Sequence, residues 1–313
     1  MRRALVVGLV LVVLGVAAAA WYDRPPVTPG SWLAGAGLEA RHETVDGRRL
    51  RFVRAGTGSA VVLIHGFGSS IYTWKDVIPA LAARHDTIAL DLPGFGESDR
   101  PADLSLEDLP RAVIGLMDGL GIERVALVGN SMGGATAAIV AATAPGRVSR
   151  LVLLDAAGFN MEPQAMPRLA RVTMSWAAPG LSLLPGKRLV VEASLRQVFH
   201  DDAFVTPERV SEYLAPTQRP GTFAALRSFG SSLGGRPEAV TAALGGIRAP
   251  TLVIWGAEDR WIPLAHADRF VAGIAGARKV VIPGCGHVPQ EEKPEEVARL
   301  LLAFLAEAES RSR

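Results

Sequence analysis

The sequence predicts an α/β fold built on a mostly parallel sheet, with one large inserted segment. Three observations lead there. Continuous apolar runs of strand length recur along the chain, stretches of helix length separate them, and the rhythm stops after Asp155 and resumes at Pro250. The runs are 60–64, 87–90, 125–128 and 151–154, then 251–255 and 279–282, the last opened by Lys279. An unbroken apolar run is the mark of a strand buried on both faces, whereas a strand with one wet face alternates. Parallel neighbours need crossovers of a dozen residues or more, and the stretches around 70–84, 105–120 and 132–144 read as those helices. Ser105 and Asp108 offer an N-terminal cap for the second. Ahead of the first run, residues 42–55 alternate polar and apolar about Asp46-Gly47, a hairpin signal. Residues 294–308 close the chain as an amphipathic helix.

A chain of 313 residues can bury one large core with an insertion. Charged residues make up 20% and hydrophobic ones 49%, which excludes wholesale disorder. Lys and Arg number 33 against 31 Asp and Glu, and the excess is scattered, so no nucleic-acid partner is expected. Cys285, the single cysteine, rules out an intrachain disulfide and leaves the redox compartment open.

The first residues carry an export or anchoring signal. Arg2-Arg3 precede an uncharged apolar run over 4–22, which as a helix reaches about 28 Å, close to the hydrocarbon thickness of a bilayer. The upstream charge holds that end in the cytoplasm, so an uncleaved anchor places the following domain on the non-cytoplasmic side. A cleaved signal peptide is the alternative, with processing near the small residues 17–20 and an exported soluble product. The expected divisions are 1–22 (anchor or signal), 23–40 (a Pro-, Gly- and Ala-rich linker), 41–155 and 247–313 (two parts of one core), and 156–246 (the insertion).

The chemistry centres on Gly129-Asn130-Ser131-Met132-Gly133, a G-x-S-x-G pattern between a buried strand and a helix-like stretch. That context fits a nucleophile elbow, where a sharp turn lifts a serine above the sheet and small residues let strand and helix approach. A serine hydroxyl needs a base to take its proton. His287, in a Gly-rich loop after the last strand, is the expected base. His42, His85, His200 and His266 read as structural or solvated, the last on an exposed helix, and His65 as a residue that shapes the loop after its strand. The imidazole needs a carboxylate to fix its tautomer. Asp259 gives the order Ser, Asp, His, and Asp155, which also ends a strand, is the alternative. Glu258 should point elsewhere, and Asp91 should shape its own loop. The oxyanion formed on attack requires fixed N–H donors. Those of Met132, at a helix start, and of Phe67, between glycines, are expected. This chemistry implies a small-molecule acyl substrate and calls for no cofactor or metal.

His65-Gly66-Phe67-Gly68, the run from Asp91 to Ser98, the elbow, Asp259 and Gly286-His287 together resemble the α/β-hydrolase superfamily over about 50–310. The resemblance implies that 156–246 is a helical cap over the active site and that substrate choice resides there. Dehalogenases and epoxide hydrolases of the superfamily carry Asp where this chain has Ser131, and serine selects acyl chemistry. The elbow also resembles that of hydrolases cutting carbon–carbon bonds in ring-cleavage products. Their usual Gly-Pro-Gly loop is missing after His65-Gly66, however, and Val288 stands where they commonly have Trp. Membrane-anchored monoacylglycerol lipases share the N-terminal span and the Ser-Met-Gly elbow. The expectation is therefore a carboxylic-ester hydrolase of lipid-like or small acyl esters, associated with a membrane. A C–C hydrolase of vinylogous diketo acids is the alternative and a non-enzymatic binding protein a third reading. Arg196 is the candidate partner for a substrate carboxylate under the second.

Overall fold

A computed structural model describes residues 13–160, 186–233 and 239–309. Its core is one eight-stranded sheet: β1 (Arg41–Val45), β2 (Arg48–Ala55), β3 (Ala60–Ile64), β4 (Asp86–Leu90), β5 (Val125–Asn130), β6 (Val148–Leu154), β7 (Thr251–Gly256) and β8 (Arg278–Ile282), in the order β1-β2-β4-β3-β5-β6-β7-β8. β1 and β2 pair antiparallel, as do β2 and β4, and every later pairing is parallel. The hairpin turns at the expected dipeptide. Val45 pairs with Arg48, and Asp46 and Gly47 both take positive φ (51° and 74°), the requirement of a type I′ turn.

Successive side chains of a strand point to opposite faces. In β3, Val62 and Ile64 enter one apolar cluster with Leu116, Ala137 and Phe270, while Val61 and Leu63 enter the other with Trp74, Val297 and Leu301. Helices on both sides thus cover the sheet, and this is why the central strands read as unbroken apolar runs. A helix α1 spans residues 13–22 and a short α2 spans Ser31–Gly35. The first crossover is not one helix over 70–84 but a 3₁₀ turn at Ile71–Trp74 followed by α3 (Ile78–Ala82). Pro79 is the reason, because a residue without N–H fits the first turn of a new helix and not the interior of a longer one. The next crossovers are α4 (Asp108–Gly119) and α5 (Met132–Thr143). Asp108 Oδ2 accepts both the backbone N–H (2.7 Å) and the hydroxyl (2.9 Å) of Ser105, the reach-back half of a capping box.

The described parts of the insertion are helical: α6 (Lys187–Val198), α7 (Pro207–Leu214), α8 (Thr222–Leu233) and α9 (Ala239–Ala243). Residues 161–185 and 234–238 of the expected cap lie outside the described residues. Beyond the insertion come α10 (Ala265–Gly273), α11 (Pro289–Glu292) and α12 (Pro294–Glu309).

Residues 23–40 do not form the free linker their composition suggested. Asp23 sits at the start of α6, where its carboxylate accepts from the N–H groups of Gly186 (2.8 Å) and Arg188 (2.9 Å), satisfying donors a helix start leaves open. Val27 N–H donates to Ser211 Oγ and Gly30 N–H to Glu212 Oε1, both on α7. The segment is a strap fastened across the cap. On α1, which it continues, Val13, Leu14, Val16 and Trp21 are all exposed. No helix among the described residues is long and apolar enough to cross a membrane, and residues 1–12 of the expected span lie outside them.

The buried carboxyl of Glu212, to which the strap is bonded, makes stability depend on pH. Burial pushes the Glu212 carboxyl up to about 7. Its folded value lies above the unfolded one, so its contribution is fully present below about pH 4.5 and is lost as pH rises through 7, by about 1–2 kcal/mol after allowance for solvent screening. Glu212→Gln keeps the acceptor for Gly30 without the titration. Thermal melting at pH 5 and pH 8 should therefore differ less in the variant than in the parent. An unchanged difference would assign the pH dependence elsewhere.

Candidate active site

Ser131 stands between β5 and α5 with φ 54° and ψ −119°, a conformation that costs a non-glycine residue about 1–3 kcal/mol. Its surroundings impose it. Ser131 N–H donates to Leu154 O, and Ser131 O accepts from Ala135 and Ala157. A Cβ on Gly129 would come within 2.3 Å of Gly133 O, and one on Gly133 within 2.2 Å of Ile64 O. Only glycines let β5, α5 and the end of β3 meet so closely. A Cβ on Gly66 would lie 3.1 Å from Ser131 Cβ, which puts the backbone entering Phe67 beside the serine. Met132 begins α5, whose first N–H groups have no partner inside the helix. The two expected oxyanion donors thus flank Ser131. The Phe67 ring, about a third exposed, stacks on Phe229 with centroids 6.3 Å apart.

His287 follows β8 and is 4% exposed. Three contacts place it. Its N–H donates to Val198 O at the end of α6 (2.8 Å), its carbonyl accepts from Asn130 Nδ2 (3.0 Å), and its ring Nδ1 lies 2.8 Å from Asp259 Oδ2. Asn130 precedes the serine, so the elbow is tied directly to the histidine loop. Asp259 Oδ1 accepts from the N–H groups of Trp261 (2.7 Å) and Ile262 (3.0 Å). Three N–H donors converge on one carboxylate, which stabilises its charge. The structure thus brings Asp259, and not Asp155, onto the imidazole. Asp155 lies fully buried at the end of β6 with φ 43° and accepts from Gly256 N–H.

Sequence alone gave no sign of three supporting residues. Trp261 stacks on His287 at 5.8 Å and 19°. Glu292 accepts from the N–H groups of Gly286, His200 and Asp201, bridging the histidine loop to the cap. Glu291 accepts from Arg209 and Tyr213 of α7 and from Thr73, a buried latch between cap and core. Both glutamates are buried on α11. The histidine loop meets the cap closely at Gly286, where a Cβ would lie 2.4 Å from Val198 O.

His65 donates from Nδ1 to Gly66 O (2.8 Å) and accepts at Nε2 from Leu92 N–H (3.0 Å). These partners fix a neutral tautomer, and burial pushes its pKa down. It joins two loops, as expected of a residue that shapes its surroundings. Asp91 accepts from Ile71 and Glu97 N–H, and Glu258 accepts from Cys285 N–H, away from the imidazole. His266 corrects the expectation of an exposed ring, since it is 8% exposed and lies edge-on to Phe159. Arg196 is a second correction. It points to solvent and pairs with Asp202 at 2.8 Å, outside the residues lining the cavity, because an exposed ion pair keeps a guanidinium hydrated at little cost.

A cavity of about 160 Å³ lies between core and cap, lined by Phe67, Leu195, Val198, Tyr213, Phe223 and Trp261 among others. Trp261 connects it to His287. Among the described residues Lys187 is the one charged residue of its lining, and its ammonium lies 5.4 Å from the Phe223 ring centroid. Among the described residues, Asp155, Asp259 and His287 are the group whose ligand-type atoms lie close enough for a metal, within 4.8 Å of one another. The His287–Asp259 hydrogen bond already engages two of them.

The geometry agrees with what the chain is similar to. The model of the alpha/beta hydrolase family matches residues 61–300. The chain is 35% identical over 268 residues to a 2-hydroxy-6-oxo-6-phenylhexa-2,4-dienoate hydrolase of Comamonas testosteroni, covering 82% of this chain and 91% of that one. Among solved structures it is similar to a membrane phospholipase A described as a bacterial virulence factor, at 30% identity and TM-score 0.75 over 99% of both chains. It also resembles a meta-cleavage product hydrolase from Pseudomonas fluorescens, at 29% identity and TM-score 0.74 over 86% of this chain and 98% of that one.

Proposed function

We propose that this chain, which belongs to the alpha/beta hydrolase family, cleaves carboxylic esters with an apolar acyl group through an acyl-enzyme on Ser131. The observation that carries the reading is the cavity that Trp261 connects to His287, lined among the described residues mostly by aliphatic and aromatic side chains. An acyl chain gains about 0.8 kcal/mol per buried CH₂ there, whereas an anionic substrate would surrender its hydration for the single lysine that lines the cavity among the described residues. The similarity to a membrane phospholipase A along the whole chain supports it.

In the proposed reaction Ser131 Oγ attacks the ester carbonyl as His287 takes its proton. Asp259 holds the ring through Nδ1, so that Nε2 is the basic nitrogen, and steadies the imidazolium that forms. The N–H groups of Met132 and Phe67 meet the oxyanion. His287 returns the proton to the leaving alcohol, and then activates water to release the acid.

A second reading is C–C hydrolysis of a vinylogous diketo acid. The named activity of the Comamonas relative and the likeness to the Pseudomonas enzyme favour it, and Lys187 would have to receive the carboxylate. A panel of p-nitrophenyl esters, monoglycerides and lysophospholipids beside 2-hydroxy-6-oxo-6-phenylhexa-2,4-dienoate separates the two. Esters of medium-length acyl chains should show the highest kcat/KM. Turnover of the dienoate with none of the esters would replace the first reading by the second.

The apolar start supports a location at a membrane, with the catalytic domain on the non-cytoplasmic side. The full chain should sediment with membranes and leave them only with detergent. A mature chain beginning near Trp21 in the soluble fraction would identify a cleaved signal instead.

A further inference from the structure

Asp155 is a titratable group at the heart of the site for which the reaction above has no use. It is fully buried, in a backbone conformation uncommon for a residue with a side chain. Oδ1 accepts from Gly256 N–H at 2.9 Å, and Oδ2 is buried without a hydrogen-bond partner. Ligand-type atoms of Asp155, Asp259 and His287 all lie within 4.8 Å of one another. The ionisable groups acting on it are Asp259 from the loop after β7, His287 and Cys285 from the loop after β8, and Glu292 from α11. None of these is a permanent cation.

Two carboxylates so close in a buried place cannot both be charged. Asp259 holds two backbone N–H donors and the imidazole, so it is the one built to carry the charge. Asp155 has one donor and an orphaned oxygen. An ionised Asp155 would leave that oxygen uncompensated in a dry site, whereas a protonated one needs an acceptor, and the Asp259 carboxylate is within reach.

We propose that Asp155 is a protonated carboxylic acid whose O–H is directed at the Asp259 carboxylate, a positioning residue that holds the orienting acid and moderates its pull on His287. Burial, and next the charge of Asp259, push its pKa well above the usual carboxylate range. The inference rests on the proposed roles of Asp259 and His287.

The acid limb of the pH profile of kcat/KM, which reports the free enzyme's base, tests it by sign. Asp155→Ala removes a donor, makes Asp259 a stronger partner for the imidazolium, and should move the limb up by about half a pH unit while lowering kcat. Asp155→Asn retains a neutral donor and should keep the limb near its parental position, with a smaller loss of kcat than the alanine variant. If Asp155 is ionised, both variants delete a negative charge and both move the limb down, which overturns the proposal. Loss of activity in both variants with an unmoved limb would also overturn it, because that is what a packing role gives. Difference infrared spectra of the unmodified protein and Asp155→Asn supply a check that does not need activity. A protonated-carboxyl carbonyl band present at neutral pH in the first and missing from the second supports the proposal, and its absence from the first sinks it. If neither variant folds, titration of the unmodified protein for that band decides. These readouts stand even if the substrate is not an ester.

Discussion

Ser131→Ala should lower turnover by about ten-thousand-fold or more while leaving melting and expression close to those of the parent. The expected loss is this large because the hydroxyl is the proposed attacking group. Histidine and carboxylate act only through it, so without it only binding and the oxyanion donors remain. The fold should survive, since what holds the elbow is backbone hydrogen bonding to Leu154, Ala135 and Ala157 and the glycine contacts at 129 and 133, none of which uses the hydroxyl. Alanine also takes the strained φ no worse than serine. A fluorophosphonate should label the parent at Ser131 alone and the variant nowhere. Label on another residue, or turnover within tenfold of the parent, would remove Ser131 as nucleophile and the proposed reaction with it.

Asp259→Asn should cost about a thousand- to ten-thousand-fold in kcat, close to the alanine variant of the histidine. The amide keeps the shape of the carboxylate but not its charge. Trp261 and Ile262 N–H groups require an acceptor at Oδ1, so the NH₂ falls on the side of His287. A donor there forces Nδ1 to accept and places the ring proton on Nε2, the nitrogen that must receive the proton of Ser131. The loss should therefore appear in kcat more than in KM. Asp155→Asn presents no such inversion and should be milder. A severe Asp155→Asn beside a mild Asp259→Asn would exchange their roles.

How much of this was open to reading from residues follows from how each signal is encoded. The double-sided burial of β3 to β7 forces apolar runs, and the turn at Asp46-Gly47 demands positive φ at two successive residues. Both requirements are local and visible. The elbow is equally local, because its geometry is imposed by the side chains missing at 129 and 133. His287 and Asp259 could be named from their place after a strand and their order along the chain. The same rule admits Asp155, and sequence gave no means to separate two acids that each end a strand. The surroundings of Arg196 and His266 are not legible in the sequence, for one reason. Residue type states a side chain's chemistry but not which way its helix faces, and α6 turns Arg196 to Asp202 and solvent while α10 turns His266 inward.

By itself the sequence determined the parallel sheet with its interruption, the strained serine, the candidate base, and the apolar character of the first residues, because each is written in a contiguous pattern of burial, backbone freedom or charge. Tertiary structure alone decided which carboxylate meets His287, that residues 23–40 are a strap and not a linker, that Glu291 and Glu292 fasten the cap beside the histidine loop, and that the cavity's described lining is mostly apolar. Those outcomes depend on contacts between residues far apart in the chain, whose distances and directions are set by how the layers pack, and no local pattern records them.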